Sequence, residues 1–278
     1  MEILKLNNDN SEIFLYNTII KKNSAFKMWF YFPGPESFAM SSLGYLWLYK
    51  EIDEDPDIDI ERVYSDSKTT RIMSKDIDLI GVSMSFDMDF LAILKFLEKN
   101  NYSNKAAERG EETPLIYAGG PVITANPEPY KNLFDFMVLG DGEGVNIQIV
   151  KTICTAKERG ATKKDILKLL NDIEGVYVPS LPRAKVTKLT KRLSNCIYTP
   201  ILSERAFFPN TFIMEIERGC ANRCGFCLAS YINLPIRFPS YEKIIETIDI
   251  GLSKTNRIAL LGAQVTAHPK FLDILKYV

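Results

Sequence analysis

Three of the chain's five cysteines lie within eight consecutive positions, as Cys220, Cys224 and Cys227. Their spacing is C-x3-C-x2-C, and cysteine thiolates are the usual protein ligands of iron–sulfur clusters. A four-iron cluster held by three protein thiolates keeps one iron open, in the way that a catalytic zinc keeps a position for water or substrate. The motif therefore predicts a [4Fe-4S] cluster that takes part in chemistry and not only in electron transfer.

Two other uses of these cysteines are alternatives: a structural zinc site, and thiols without a metal. A closed zinc site needs four ligands, usually as two pairs well apart in the sequence. Cys154 and Cys196 are isolated from the motif and from each other, and His268 is the only histidine in the sequence. Because the sequence offers no second pair of ligands, the iron–sulfur interpretation is favoured.

The segment RGCANRCGFC, directly after the strand-like TFIMEIER, resembles the signature of the radical S-adenosylmethionine (radical SAM) enzymes. Phe226 stands where that family has an aromatic residue before its third cysteine. The resemblance implies a [4Fe-4S] cluster on Cys220, Cys224 and Cys227, whose open iron binds the amino and carboxylate groups of S-adenosylmethionine. It also implies one-electron cleavage of the sulfonium to methionine and a 5'-deoxyadenosyl radical, which takes hydrogen from a substrate. The protein's part is then to position the cofactor and to exclude water.

The same resemblance implies cofactor contacts at the end of the next predicted strand. There Gly262, Ala263 and Gln264 hold the place of a Gly-Gly-Glu segment that meets the methionine amino group in the family. Together with Phe226, they are the residues implied to bind the cofactor. This chain departs from the family segment at its second and third positions.

The segments on either side of the cysteines are predicted to form α/β structure. Alternating strands and helices in the first half are typical of a doubly wound, Rossmann-like parallel sheet with helices on both faces. The predicted strands there are 27–33, 59–66, 78–85, 113–120 and 134–143, and the predicted helices are 38–52, 89–100 and 144–160.

The last part of the chain repeats the strand–helix pattern. It predicts strand 211–218, helix 240–254 capped by Ser240, strand 257–263 and a helix that begins at Pro269. By the resemblance, these are the first units of a partial (β/α)6 radical SAM barrel. Within strand 211–218, one face is predicted to pack on helices, and it carries Phe212, Met214 and Ile216. The other face, which carries Thr211, Ile213, Glu215 and Glu217, is predicted to look inward.

A second resemblance covers about residues 27–150. The segments DLIGVSMSF, PLIYAGGPVITANPEP and FDFMVLGDGEGV resemble the cobalamin (B12)-binding-like domain that precedes the radical SAM core in one large subgroup. Gly119, Gly120, Gly140 and Gly142 are the places where a bulky ligand would pass close to the backbone. A D-x-H-x-x-G motif is absent, so either cobalamin binds without a protein ligand to cobalt or the fold persists without it.

Three regions are predicted from these patterns. Residues 1–160 form the cobalamin-binding-like α/β domain, 161–209 a linker with a small β extension, and 210–278 the N-terminal part of the radical SAM core. Six barrel units need about 190 residues, whereas the last region holds two. The chain is therefore expected to be a fragment with an incomplete catalytic barrel.

Composition narrows the partners and the compartment. Hydrophobic residues make up 46% and charged residues 25% of the 278 residues, and the net charge is -1. This balance argues against a long nucleic acid held by charge alone, and no run of about 18 apolar residues suggests a membrane span. Five cysteines, three of them clustered, argue against a disulfide framework and for a reducing cytoplasm.

The sequence therefore predicts a radical SAM enzyme that abstracts hydrogen in methyl transfer, methylthio transfer or related chemistry. Its substrate, which is not identified by the sequence, is a small molecule, an RNA or a protein, and an electron donor such as flavodoxin or ferredoxin is expected. The alternative is a non-enzymatic regulatory module that binds cobalamin or a metal and uses the cysteines as a structural or redox site.

Overall fold

The computed structural model describes residues 11–22, 25–182 and 185–278. Within these ranges the strands are β1 (Glu12–Phe14), β2 (Phe26–Phe32), β3 (Ile58–Tyr64), β4 (Leu79–Ser83), β5 (Leu115–Gly119), β6 (Phe136–Val138), β7 (Val176–Tyr177), β8 (Ile201–Ser203), β9 (Phe212–Glu215) and β10 (Ile258–Leu261). The helices are α1 (Glu36–Ala39), α2 (Leu43–Asp53), α3 (Asp89–Lys99), α4 (Pro121–Ala125), α5 (Val145–Glu158), α6 (Lys163–Asn171), α7 (Leu228–Ile232), α8 (Tyr241–Leu252) and α9 (Phe271–Tyr277).

A six-stranded sheet in the order β3-β2-β4-β5-β6-β7 forms the larger part of the fold. The first five strands in this order are parallel, and β7 pairs antiparallel with β6 at the edge. When the five parallel strands are numbered from 1 to 5 along the chain, their order across the sheet is 2-1-3-4-5. This order is a doubly wound arrangement. The predicted α/β class with a mostly parallel sheet is therefore confirmed.

Helices cover both faces of this sheet. On one face Met28 and Phe30 share a core with α2, α5 and α6, and on the other Trp29 and Tyr31 share a core with α3 and α4. All residues of β2 except Lys27 are buried, as expected for a parallel strand covered on both sides. This double burial is why a continuous apolar run, and not an alternating one, marks the central strand.

A second sheet holds the parallel strands β9 and β10, joined by α8. Phe212, Met214 and Ile216 are fully buried and share a core with Ile244 and Ile248 of α8, so the predicted packing face is confirmed. The predicted cap of α8 is also confirmed, since the Ser240 side chain accepts a hydrogen bond from the Lys243 amide at 3.3 Å.

Two predicted helices differ from those observed. The segment 38–52 is interrupted between α1 and α2, because the amides of Ser41 and Ser42 bond to carbonyls three residues back and turn the chain. Pro269 does not open α9. The amide of Phe271 bonds to the carbonyl of His268, which keeps Pro269 in the turn before the helix.

The region 161–209, predicted as a linker, contributes two strands that pair with strands of the first region. β7 extends the six-stranded sheet, and β8 pairs antiparallel with β1. The predicted division into three regions stays a prediction. None of the helices in the described ranges combines the length and the apolar character required to span a bilayer.

Candidate functional site

A cavity of about 530 Å³ lies where the carboxyl ends of the two parallel sheets face each other. Ser83, Gly119 and Gly140 line it from the ends of β4, β5 and β6, and Glu217 and Gly262 line it from the ends of β9 and β10. In open α/β sheets, ligands bind outside the carboxyl ends of the strands. The cavity is therefore the candidate ligand site of the described chain.

Most of the cofactor-binding residues predicted from the sequence meet in this cavity, although they come from two distant segments of the chain. Those that line it are Gly119, Gly120, Gly140, Gly142, Gly262 and Ala263. Gln264, Phe226 and the three cysteines are not among the lining residues. The cysteine loop nevertheless continues directly from Gly219, which lines the cavity.

The cysteine loop begins after β9, and its two ends are joined at Arg218 and Arg237. Two backbone hydrogen bonds close it, from the Arg218 amide to the Arg237 carbonyl at 2.9 Å and from the Arg237 amide to the Arg218 carbonyl at 2.8 Å. Cys220 and Cys227 are half-buried, Cys224 is exposed, and all three are free thiols. The loop thus presents three accessible sulfurs beside the cavity.

The donor set fits an iron–sulfur cluster in its chemistry. Hydrogen bonds from Ser230 lower the pKa of the Cys227 thiol, and the thiolate is the form that binds metal. In the part of the chain that the structure describes, no three His, Cys, Asp or Glu side chains are already arranged to hold a metal ion.

Phe226 and Gln264 have different surroundings in the structure. Phe226 is 92% exposed, so its predicted contact with a cofactor stays a prediction. The side-chain oxygen of Gln264 accepts a hydrogen bond from the Asn222 amide nitrogen at 2.7 Å. This bond ties the cysteine loop to the end of β10.

Arg218, next to the cysteine motif, joins the two sheets electrostatically. Its guanidinium pairs with Asp141 at 2.9 Å and Glu143 at 2.5 Å after β6, and with Glu215 of β9 at 2.6 Å. Its side chain is only 14% exposed. Burial opposes the charge, but the hydrogen bonds and charges of Glu215 and Glu143 outweigh it and raise the pKa of Arg218.

Asp141 also forms an ion pair with a second arginine, Arg237. Arg237 donates hydrogen bonds to Asp141 and, at 2.7 Å, to the Lys191 carbonyl. Burial favours the neutral acid, but the hydrogen bond from Arg237 and the charge of Arg218 outweigh it and lower the pKa of Asp141. In the sequence, the one sign of this cluster is the acidic GDGEG segment at a strand end.

Glu217 is the most buried acid of the cavity, with 1% of the residue exposed. Its Oε2 accepts a hydrogen bond from the backbone amide of Gln264 at 3.0 Å. Its Oε1 is buried without a partner among the described residues. A Cβ added at Gly262 would lie 2.9 Å from the Glu217 Cβ. The glycine at position 262 is thus required by the close approach of Glu217.

The ionisation of Glu217 is expected to destabilise the fold. Burial raises the pKa of this carboxyl, although the Gln264 amide opposes the shift. The penalty is present above the folded pKa and disappears as the pH falls through it. Glu217→Gln should therefore be about 1 kcal/mol more stable than the parent at pH 7, with a difference that shrinks towards pH 4. Urea unfolding across this range measures it. A stability difference that does not change with pH would contradict the assignment.

Gly120 and Gly140 line the cavity, and their prediction as places where a ligand passes close to the backbone stays a prediction. A Cβ on Gly120 would lie 2.4 Å from the Met84 carbonyl oxygen, and one on Gly140 would lie 2.1 Å from that of Leu189. Both glycines have positive φ, at 116° and 97°. The fold therefore requires glycine at both positions, because a side chain would meet the chain's own backbone.

The remaining glycines and the histidine give cobalamin no further support. A Cβ on Gly142 would meet the Asn146 Nδ2 at 2.7 Å, while Gly119 leaves ordinary space. His268 is buried away from this edge, where its Nδ1 accepts a hydrogen bond from the Lys270 amide at 3.1 Å and its ring contacts Phe238. Cobalamin binding therefore stays a prediction, and no chemical step is assigned to it.

Two comparisons relate this chain to known proteins. Residues 44–179 match a family model described as radical SAM proteins, N-terminal. The chain is also 28% identical over 215 residues to the uncharacterized protein MJ0966 of Methanocaldococcus jannaschii, a stretch that covers 73% of this chain and 42% of that protein. The chain thus spans about two fifths of the length of this relative. Since the matched family segment ends before Cys220, it supports the radical SAM superfamily independently of the motif.

Proposed function

We propose that this protein is a radical SAM enzyme in which Cys220, Cys224 and Cys227 hold a [4Fe-4S] cluster beside the cavity. The observation that carries the proposal is the three-thiol loop: it extends from a strand whose carboxyl end lines a cavity shared with the segment that matches the radical SAM N-terminal family. When bound, the cluster would supply the electron for reductive cleavage of S-adenosylmethionine, which starts hydrogen abstraction from the substrate.

The chain's own residues position the loop and shape the cavity. The paired backbone bonds between Arg218 and Arg237 hold the base of the loop, and the Asn222–Gln264 hydrogen bond holds its middle against β10. The ion pairs of Arg218 fix the distance between the two sheet edges, because one guanidinium binds acids from both. A rigid scaffold of this kind suits a reactive site, since loosely held groups lose rate.

Apolar side chains form the remaining wall of the cavity. Tyr45, Trp47 and Leu48 of α2 and Tyr117 of β5 line it. Such a wall would keep water from a reactive radical, as closed active sites do to prevent side reactions. Cys224 and Phe226 are exposed on the loop, which supports approach of an electron donor such as flavodoxin or ferredoxin from that side.

The proposal is tested by anaerobic reconstitution of the full chain with iron and sulfide. We expect about four irons per chain, a brown colour, and formation of 5'-deoxyadenosine from S-adenosylmethionine after reduction. Chromatography of the reaction mixture measures the nucleoside. Protein that retains zinc, takes up no iron and stays colourless would instead favour the regulatory module with a structural cysteine site.

A further inference from the structure

The cavity walls carry more negative than positive charge. Among the described residues that line it, the acids are Asp141, Glu143, Glu215 and Glu217, and the only base is Arg218. Arg237, which approaches from outside, pairs with Asp141 alone. Two arginines therefore face four carboxylates.

The arginines saturate two of these carboxylates. Asp141 bonds to both arginines and accepts a further hydrogen bond from the Lys191 amide at 2.7 Å. Glu215 binds Arg218 through both of its oxygens, at 2.9 and 2.6 Å. Neither carboxylate therefore keeps an unpaired oxygen for a ligand.

The other two carboxylates each keep an oxygen that nothing in the described chain satisfies. These atoms are Glu143 Oε2 and Glu217 Oε1, and both are buried without a hydrogen-bond partner. Glu217 is 99% buried, since only 1% of it is exposed. Buried polar atoms are normally paired, so an exception on a cavity wall points to a missing partner.

The missing partner must be a hydrogen-bond donor, and a cation fits best. A carboxylate oxygen only accepts hydrogen bonds, and bonds from a charged donor are shorter and about twice as strong as neutral ones. A lysine-like ammonium would also offset the excess negative charge. The aromatic and aliphatic wall formed by Tyr45, Trp47 and Tyr117 requires an apolar body attached to that group.

We propose that the cavity binds a small organic cation, an ammonium carried on an aromatic or aliphatic body, with the charge held by Glu143 and Glu217. The volume of about 530 Å³ suits a small-molecule ligand. That this ligand is the substrate rests on the proposed radical SAM function, whereas the binding itself does not.

The test compares three probes of one shape on the protein as purified, without a cluster. They are 2-phenylethylammonium, the neutral 2-phenylethanol and the anionic 3-phenylpropanoate, titrated by calorimetry. We expect the ammonium to bind about tenfold or more tightly than the alcohol, because it makes a charge-assisted bond worth that ratio. Equal affinities, or no binding of the ammonium, would overturn the proposal.

Matched variants assign the selectivity to residues. Glu217→Gln and Glu143→Gln should each lower affinity for the ammonium about tenfold and leave the alcohol unchanged. Glu246→Gln removes the same charge from an exposed pair with Lys243 and should change neither. Variants that bind the ammonium as the parent does would refute the assignment.

Two further measurements separate this inference from the proposed function. Reconstituted Glu217→Gln should hold as much iron as the parent, so a failure of iron binding in both would count against the cluster and not against the cation site. Displacement of 2-phenylethylammonium by S-adenosylmethionine would assign the carboxylates to the cosubstrate and overturn the substrate class.

Discussion

Cys220→Ser, Cys224→Ser and Cys227→Ser are each expected to reduce reconstituted iron from about four per chain to near background. A hydroxyl does not replace a thiolate as a ligand of soft iron–sulfur centres, and two remaining thiolates are too few to hold the cluster. Iron and sulfide analysis together with the visible absorption measures the loss.

Cys154→Ser is the matched control for these variants. Cys154 is also a partly exposed free thiol, but it lies on α5 and outside the loop. Cys196 is less suitable, because it is buried in the core beneath β9, and burial raises its pKa to about 12. Iron content that falls as far in Cys154→Ser as in the loop variants would argue against the assigned ligands.

Arg218→Ala is expected to destabilise the protein by about 3 kcal/mol or more. The change leaves Asp141, Glu143 and Glu215 partly buried with less positive charge, and removing one partner of a buried ion pair typically has an effect of this size. Urea unfolding monitored by tryptophan fluorescence measures it. Arg218→Lys should recover only part of the loss, since an ammonium cannot make the bidentate bonds to Glu215.

Arg71→Ala provides the comparison for the Arg218 prediction. Arg71 also makes two hydrogen bonds to one carboxylate, that of Asp59, but its side chain is 58% exposed. Exposed ion pairs contribute at most about 1 kcal/mol. Equal losses of unfolding free energy in Arg218→Ala and Arg71→Ala would contradict the role of the buried Arg218 cluster in joining the two sheets.

The strands were predictable because the pattern of apolar residues in each segment reflects how that strand is buried. The run from Met28 to Phe32 is covered on both faces and is continuously apolar. In the strand that carries the cysteine loop, by contrast, the buried Met214 and Ile216 alternate with Glu215 and Glu217, which line the cavity. Helix α8 was marked by its cap at Ser240. The predictions were wrong at helix ends and breaks, as at Pro269, where the backbone hydrogen bond from Phe271 to His268 forms a turn before the helix.

The candidate site was predictable only in its parts. The cysteine motif was recognisable by its spacing. Two of the acids that pair with Arg218, however, lie 75 and 77 residues away along the chain, and a single sequence does not show which acid reaches the guanidinium. The same limit applied to Gly140, whose close neighbour Leu189 belongs to a different region of the chain. Glu217 was placed on the inward face of its strand, but its unpartnered oxygen is visible only once the walls around it are known.

The central claim is that three thiolates hold a four-iron cluster with one iron open to S-adenosylmethionine. Electron paramagnetic resonance of the anaerobically reconstituted and reduced protein tests it most directly, with spectra recorded before and after addition of S-adenosylmethionine. We expect the signal of a reduced [4Fe-4S] cluster, which changes when the cosubstrate is added and is absent in Cys224→Ser. A cluster signal that S-adenosylmethionine leaves unaltered, or a protein that holds zinc and gives no signal, would contradict it.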